Sequence, residues 1–194
     1  MASRDPEGTR RRILDAAVAE FAANGLAGAR MEAIAARAGI SKQLPFYYFG
    51  SKELLFRAAV WAKLEQHMIE LREHAAKDTL LASHEVYSSD PDLVRMLMWE
   101  ALELEPNRSD GQDERVAMYA EWVAHIRADQ AAGTIDPGLD PRQLVLSFLA
   151  EGLFPFAFPQ LTYLVTGSEA DASSFRRGRG RYIAALRRAL GPRP

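Results

Sequence analysis

Between Ser41 and Lys52 the chain reads Ser-Lys-Gln-Leu-Pro-Phe-Tyr-Tyr-Phe-Gly-Ser-Lys. Hydroxyl, ammonium, amide and phenol groups are interleaved there with apolar rings. That set of groups can read nucleic acid. A lysine donates to the acceptors of guanine, a glutamine pairs with adenine through two hydrogen bonds, and an aromatic ring packs on a thymine methyl. Lys42, Gln43, Phe46 and Tyr47 fall where base edges would be faced, with Ser41 and Leu44 beside them. Tyr48 and Lys52 suit phosphates. Arg30, with Arg10 and Arg11, suits contact with the sugar-phosphate backbone, which sets affinity and salt dependence and leaves sequence choice to the bases. Phe46 fits core or groove equally well. Tyr47 fits the groove, because its hydroxyl tolerates water, and Phe49 fits the core.

These groups need short helices to present them. Helical periodicity dominates the chain and no segment alternates as a strand would. The spacing predicts a first helix over 6–23, with Asp5 as cap, Pro6 in the first turn and Asn24-Gly25 as a left-handed end. Its inner face is Ile13, Ala16, Ala17 and Phe21. A second helix over 31–38 turns Met31, Ile34 and Ala35 inward and stops at Gly39. A third, over 42–48, has Ser41 as its cap. A fourth runs from Lys52 to about residue 76, capped by Ser51, with Leu54, Leu55, Ala58, Trp61, Ala62, Leu64, Met68 and Leu71 inward. Two short helices, a glycine turn and a capped exit make the layout of a helix-turn-helix.

The same residues carry a family resemblance. Gly39-Ile-Ser-Lys-Gln-Leu-Pro-Phe-Tyr-Tyr-Phe-Gly-Ser-Lys-Glu-Leu-Leu resembles the recognition helix and exit of the TetR family of transcriptional regulators. Upstream, Arg12-Ile-Leu-Asp-Ala-Ala, Phe21-Ala, Gly25 and Ile34-Ala-x-x-Ala-Gly39 keep the family's spacing without a gap. The resemblance implies an all-α homodimer with a three-helix DNA-binding domain over residues 1–50. Over 51–194 it implies a helical ligand-binding and dimerisation domain, about nine helices in all. It further implies a palindromic operator read in the major groove, a small-molecule effector that releases the DNA, and pairing of the last two helices with those of a second copy. The chain departs from the pattern at Leu44, Pro45, Phe46 and Tyr48. A proline this early removes a helix hydrogen bond and restrains the residue before it, so the third helix should be short or shifted at its start.

Further along, the periodicity predicts helices over 80–87, 93–104, 113–132, 141–165 and 172–190. The 141–165 segment is apolar on nearly all sides, which suits burial on two faces, one against its own domain and one against a second subunit. Glu151, Pro155, Pro159 and Gln160 argue against a membrane span, and the prolines should bend it. Trp61, His67, Met96, Trp99, Glu100, Glu103, Tyr119, Trp122, Phe154 and Phe158 are the candidates to line an effector pocket, although aromatic stripes at helical spacing also build cores. The tryptophans and acids suggest a cationic or aromatic effector.

Composition bounds the alternatives. No cysteine is present among the 194 residues, which excludes disulfides and thiolate metal sites and makes a reducing cytoplasm the default. The start, Met1-Ala-Ser-Arg-Asp-Pro-Glu-Gly, lacks the apolar core of a signal peptide. The formal charge of −2 hides an asymmetry: +3 over 1–52, −12 over 53–171 and +7 over 172–194. A basic head suits phosphates and the acidic middle should face away from them. No cofactor is implied, and no nucleotide loop or nucleophile elbow is present. His67, Glu70 and His74 share a helix face but lack the spacing of known metal helices. Three functions compete: a ligand-responsive DNA-binding regulator, a helical small-molecule-binding protein with weakened DNA binding, which Pro45 favours, and a helical metal or redox enzyme.

Overall fold

The structure is a computed structural model of the chain, and it describes residues 5–74, 84–85, 87–104 and 113–192, with the side chains of 70–74 excepted. The described residues are all-α and contain no strand. Nine helices have described bounds: α1 (Pro6–Gly28), α2 (Met31–Ala38), α3 (Leu44–Phe49), α4 (Lys52–His74), α5 (Pro91–Glu103), α6 (Asp113–Ala131), α7 (Pro141–Ala157), α8 (Pro159–Thr166) and α9 (Ser173–Ala189). The helix expected over 80–87 lies largely outside the described residues. The chain forms two compact units, one of Met1–Met68 with Asp92–Asn107 and one of Ile69–Pro91 with Arg108–Pro194.

In the first unit α1 begins as expected. The Asp5 carboxylate accepts the Gly8 N–H at 2.9 Å and Pro6 occupies the first turn. Ile13, Ala16, Ala17 and Phe21 are buried, and the Phe21 ring meets Phe56 edge-to-face with centroids 5.0 Å apart. The end of α1 differs from the expectation of a stop at residue 23. Gly25 takes φ 69°, ψ −177°, so the helix bends there and continues for one more turn to Gly28. Its ψ is extended rather than left-handed helical, so the chain is redirected instead of terminated. Gly39, by contrast, ends α2 in the left-handed conformation, at φ 67°, ψ 39°.

On α4 the Ser51 hydroxyl accepts the Leu54 N–H at 3.1 Å, as a cap should. Its buried face is Leu55, Phe56, Ala59, Val60, Leu64, His67 and Met68. This corrects the expected face: Leu54 is exposed and Ala58, Trp61 and Ala62 are half-buried. The helix is apolar around much of its circumference near its start, so periodicity alone does not fix the phase.

The second unit confirms the bend in the 141–165 segment and shows its form. The segment is two helices, α7 and α8, which meet at 89° around Phe158. Each proline explains one orphan carbonyl, because a proline cannot donate to the oxygen four residues back. Pro155 frees the Glu151 carbonyl, which accepts from the Arg179 guanidinium at 3.1 Å. Pro159 frees the Pro155 carbonyl, which accepts from the Thr162 hydroxyl at 3.1 Å. Asp140 caps α7 through the N–H groups of Arg142 (2.7 Å) and Gln143 (3.3 Å). Arg179 also pairs with the Glu151 carboxylate, and Arg187 on α9 reaches Asp129 at 2.9 Å. No single helix with described bounds is long and apolar enough to cross a membrane.

Candidate nucleic-acid interface

Pro45 decides the shape of α3. The helix is six residues long and begins at Leu44, two residues later than expected. Ser41 therefore does not cap it with its side chain. The Ser41 carbonyl instead accepts the Leu44 N–H at 3.1 Å, and Lys42 and Gln43 form the turn before the helix. With Pro45 in the first turn, its missing N–H falls among the donors that have no partner within a helix anyway. Pro45 itself is buried.

The late start sorts the candidate residues by face. Ser41, Lys42, Gln43, Phe46 and Tyr47 are exposed together, with Tyr47 at 81% and Phe46 at 47%. Leu44 and Tyr48 are half-buried. Tyr48 holds Tyr47 edge-to-face, with ring centroids 5.5 Å apart, which orders an otherwise solvated ring. Phe49 is buried as expected, and the Arg10 guanidinium lies 4.7 Å from its ring centroid. That stacking ties the start of α1 to the end of α3. The surface left outward thus carries an ammonium, an amide, a hydroxyl and two aromatic rings within seven consecutive residues.

The flanking cations differ in their engagement. Arg30 is exposed at the start of α2, where its backbone N–H is accepted by the buried Glu20 at 3.2 Å. Lys52 opens α4, and its ammonium already holds the carbonyls of Ala27 and Ala29, each at 3.2 Å. An ammonium has three donors, so one is left for a phosphate, and it is held in place by the other two. The side chain borders a hollow of about 440 Å³ lined by Leu26, Ala27, Ser51, Lys52, Glu53 and Glu103.

The pocket candidates divide between the units. In the first, His67 and Met96 are buried and Trp61, Trp99, Glu100 and Glu103 are half-buried. Glu103 is committed elsewhere: its carboxylate accepts the N–H groups of Leu26 at 2.6 Å and Ala27 at 3.0 Å. In the second, the Tyr119 and Trp122 rings meet edge-to-face at 6.3 Å, while Phe154 and Phe158 are exposed and lie 5.0 Å apart. His84, which the sequence did not single out, is buried beside the Phe156 ring with neither ring nitrogen partnered. Burial, then the charges of Arg179 and Arg176, push its pKa down to about 4. Of the face His67, Glu70 and His74, the last two side chains lie outside the described residues. Among the described residues no group of three acids or histidines could hold a metal.

Comparison with known proteins decides what this head is. Residues 13–59 match the family described as bacterial regulatory proteins, tetR family, and residues 81–188 match its tetracyclin repressor-like C-terminal domain. The chain belongs to the TetR family. It is 36% identical over 186 residues to the transcriptional repressor SCO4008 of Streptomyces coelicolor, covering 91% of this chain and 93% of that one. It is 29% identical over 182 residues to the transcriptional regulator RutR of Escherichia coli, covering 86% and 82%. Among solved structures, the transcriptional regulator SCO4942 of Streptomyces coelicolor superposes with a TM-score of 0.73 at 26% identity, over 96% of this chain and 99% of that one. As a TetR-family member the chain is a ligand-responsive, DNA-binding transcriptional regulator. Glu20, Arg95 and Glu103 form bonds that hold the head, and sequence reasoning missed them in that role. The signal for the last two was their spacing with Trp99, four residues apart along one face of α5.

Proposed function

We propose that the protein is a repressor that reads a palindromic operator with Lys42, Gln43, Phe46 and Tyr47 in the major groove. The exposure of all four of these side chains within six consecutive residues carries this reading. Lys42 and Gln43, in the turn before α3, are placed as the leading donors to base edges, and the rings of Phe46 and Tyr47 cover thymine methyls. Ser41, Tyr48, Arg30 and the remaining donor of Lys52 hold phosphates on either side. Leu44 supports the turn from within. The domain that reads DNA is residues 1–50, and residues 51–194 bind the effector and the second copy.

Two copies are required to read two half-sites, and α7 to α9 supply the interface. Leu161, Tyr163, Leu164 and Val165 are all exposed on the eight residues of α8. So dense an apolar surface suits burial against a second subunit. A small-molecule effector bound among the C-terminal helices releases the DNA. The protein acts in the cytoplasm, where its operator is.

The test is a gel shift on the DNA flanking the protein's own gene, run at rising salt. A retarded band that weakens steeply with salt and is lost with Gln43→Ala supports the reading. No band at low salt overturns it and leaves the second function, a small-molecule-binding protein with weakened DNA binding. Sedimentation of the free protein checks the dimer, and a monomer at micromolar concentration refutes the interface.

A further inference from the structure

Residues 26–30 form the last turn of α1 and its link to α2, and charged side chains from three helices hold this short segment. Glu103 on α5 accepts the N–H groups of Leu26 and Ala27. Lys52 on α4 donates to the carbonyls of Ala27 and Ala29. Glu20 on α1 accepts the N–H of Arg30. Just upstream, Arg95 on α5 donates to the Ala22 carbonyl at 2.9 Å. Gly25 leaves no room for a side chain: a Cβ there would lie 2.7 Å from the Glu103 carboxylate and 2.9 Å from the Trp99 ring. Arg95, Trp99 and Glu103 thus present one face of α5 to the bend of α1, and all of these residues belong to the same compact unit.

A carboxylate accepting two adjacent backbone N–H groups makes strong, charge-assisted bonds, and it fixes the direction of the segment as well as its position. The segment in turn fixes two things that flank α3. It delivers Arg30 and the first turn of α2, and it holds the ammonium of Lys52 through the carbonyls of Ala27 and Ala29. We infer that Glu103 is a positioning residue for DNA reading: by holding Leu26 and Ala27 it sets the spacing between the start of α2 and Lys52, and so the ability to tell an operator from other DNA. The inference rests on the DNA-reading function proposed above. It makes the reading unit discontinuous, with Glu103 at the end of α5 as a part of it more than fifty residues beyond the head.

The test uses the full chain, an operator duplex selected from random DNA by the wild-type protein, and a scrambled duplex of equal length. Glu103→Gln keeps the shape of the side chain and an oxygen that can accept both N–H groups, but removes the negative charge that strengthens those bonds. The expected result is about a tenfold fall in the ratio of operator to scrambled affinity, from the loss of the charge that strengthens both bonds. Binding to the scrambled duplex should stay near wild type, the thermal midpoint should fall by only a few degrees, and the Leu26 and Ala27 amides should exchange faster. An unchanged ratio, or an equal loss on both duplexes, overturns the inference and leaves Glu103 a purely structural group. Should Glu103→Gln fail to fold, Glu103→Asp keeps the charge but withdraws it, and the same ratio decides. If the wild-type protein selects no sequence at all, the proposed function fails, whatever Glu103 does.

Discussion

Two bends, one in each compact unit of this protein, are made by opposite means. In the first unit the chain turns at Gly39. Gly39 closes α2 with bonds to its own helix, at Ala35 and Ala36, and nothing lies within 4 Å of where its Cβ would be. In the second unit the bend between α7 and α8 is made at prolines, and each proline leaves a carbonyl without its helical donor. Those carbonyls are met by Thr162, seven residues on, and by Arg179, 28 residues beyond Glu151. The turn at Gly39 is complete where it is made. A proline bend is complete only when the tertiary structure brings a donor to it, so damage to the second unit should come from afar.

Several measurements would break or sharpen that contrast. The largest effect should follow Glu151→Ala, which leaves the part-buried Arg179 without its carboxylate. Loss of about 2 kcal/mol is expected, below the figure for a fully buried pair because both side chains are partly solvated. Urea unfolding reads it, and a loss within error would show that the α7 bend needs no ion pair.

Acid should come next. His84 is neutral in the folded protein, with its pKa pushed down from 6.5 to about 4 by burial and then by Arg179 and Arg176. As pH falls through 6.5 the unfolded chain takes up a proton that the folded chain refuses until about 4. The folded state therefore loses stability across that window and no further below it. Thermal midpoints of wild type and His84→Phe should diverge between those values, with the variant less sensitive. Parallel curves would mean that the ring is already hydrated.

Thr162→Val removes the donor to the Pro155 carbonyl and should cost about 1 to 2 kcal/mol, the penalty for an unsatisfied buried acceptor. Gly39→Ala should cost about 1 kcal/mol, from the left-handed backbone alone, since no neighbour is displaced. Reversal of these two would refute the contrast between units. Gln43→Ala should be smallest in stability, under about 0.5 kcal/mol for an exposed turn residue. In operator affinity it should lose about tenfold or more if the amide pairs with a base.

Much of the head was legible because its signals are local. Gly39, Ser51 and the inward Ile13, Ala17, Phe21 and Ile34 each act on neighbours within a turn or two, so spacing alone exposed them. Pro45 was read correctly as shifting the start of α3. The extent of the shift was not, because it depended on Lys42 and Gln43 joining a turn closed by the Ser41 carbonyl. The phase of α4 was misread at Leu54, where several apolar residues compete for one face. The break at Gly25 was legible, but the further turn to Gly28 beyond it was not. Whether a glycine with positive φ ends a helix or only bends it depends on what meets the next two N–H groups, and here a carboxylate 77 residues away from Leu26 meets them.

The sequence by itself determined that this chain is all-α, that a glycine turn and a capped exit frame a DNA-reading helix, and that the chain is of the TetR family. Those features depend on periodicity, caps and turns, which are properties of a few neighbouring residues. Tertiary structure alone decided which of the candidate groups are exposed, where Lys52 points, and that Glu103 holds the bend of α1. Hydrogen bonds of that kind join groups far apart in sequence, and no local pattern records which donor will reach which acceptor.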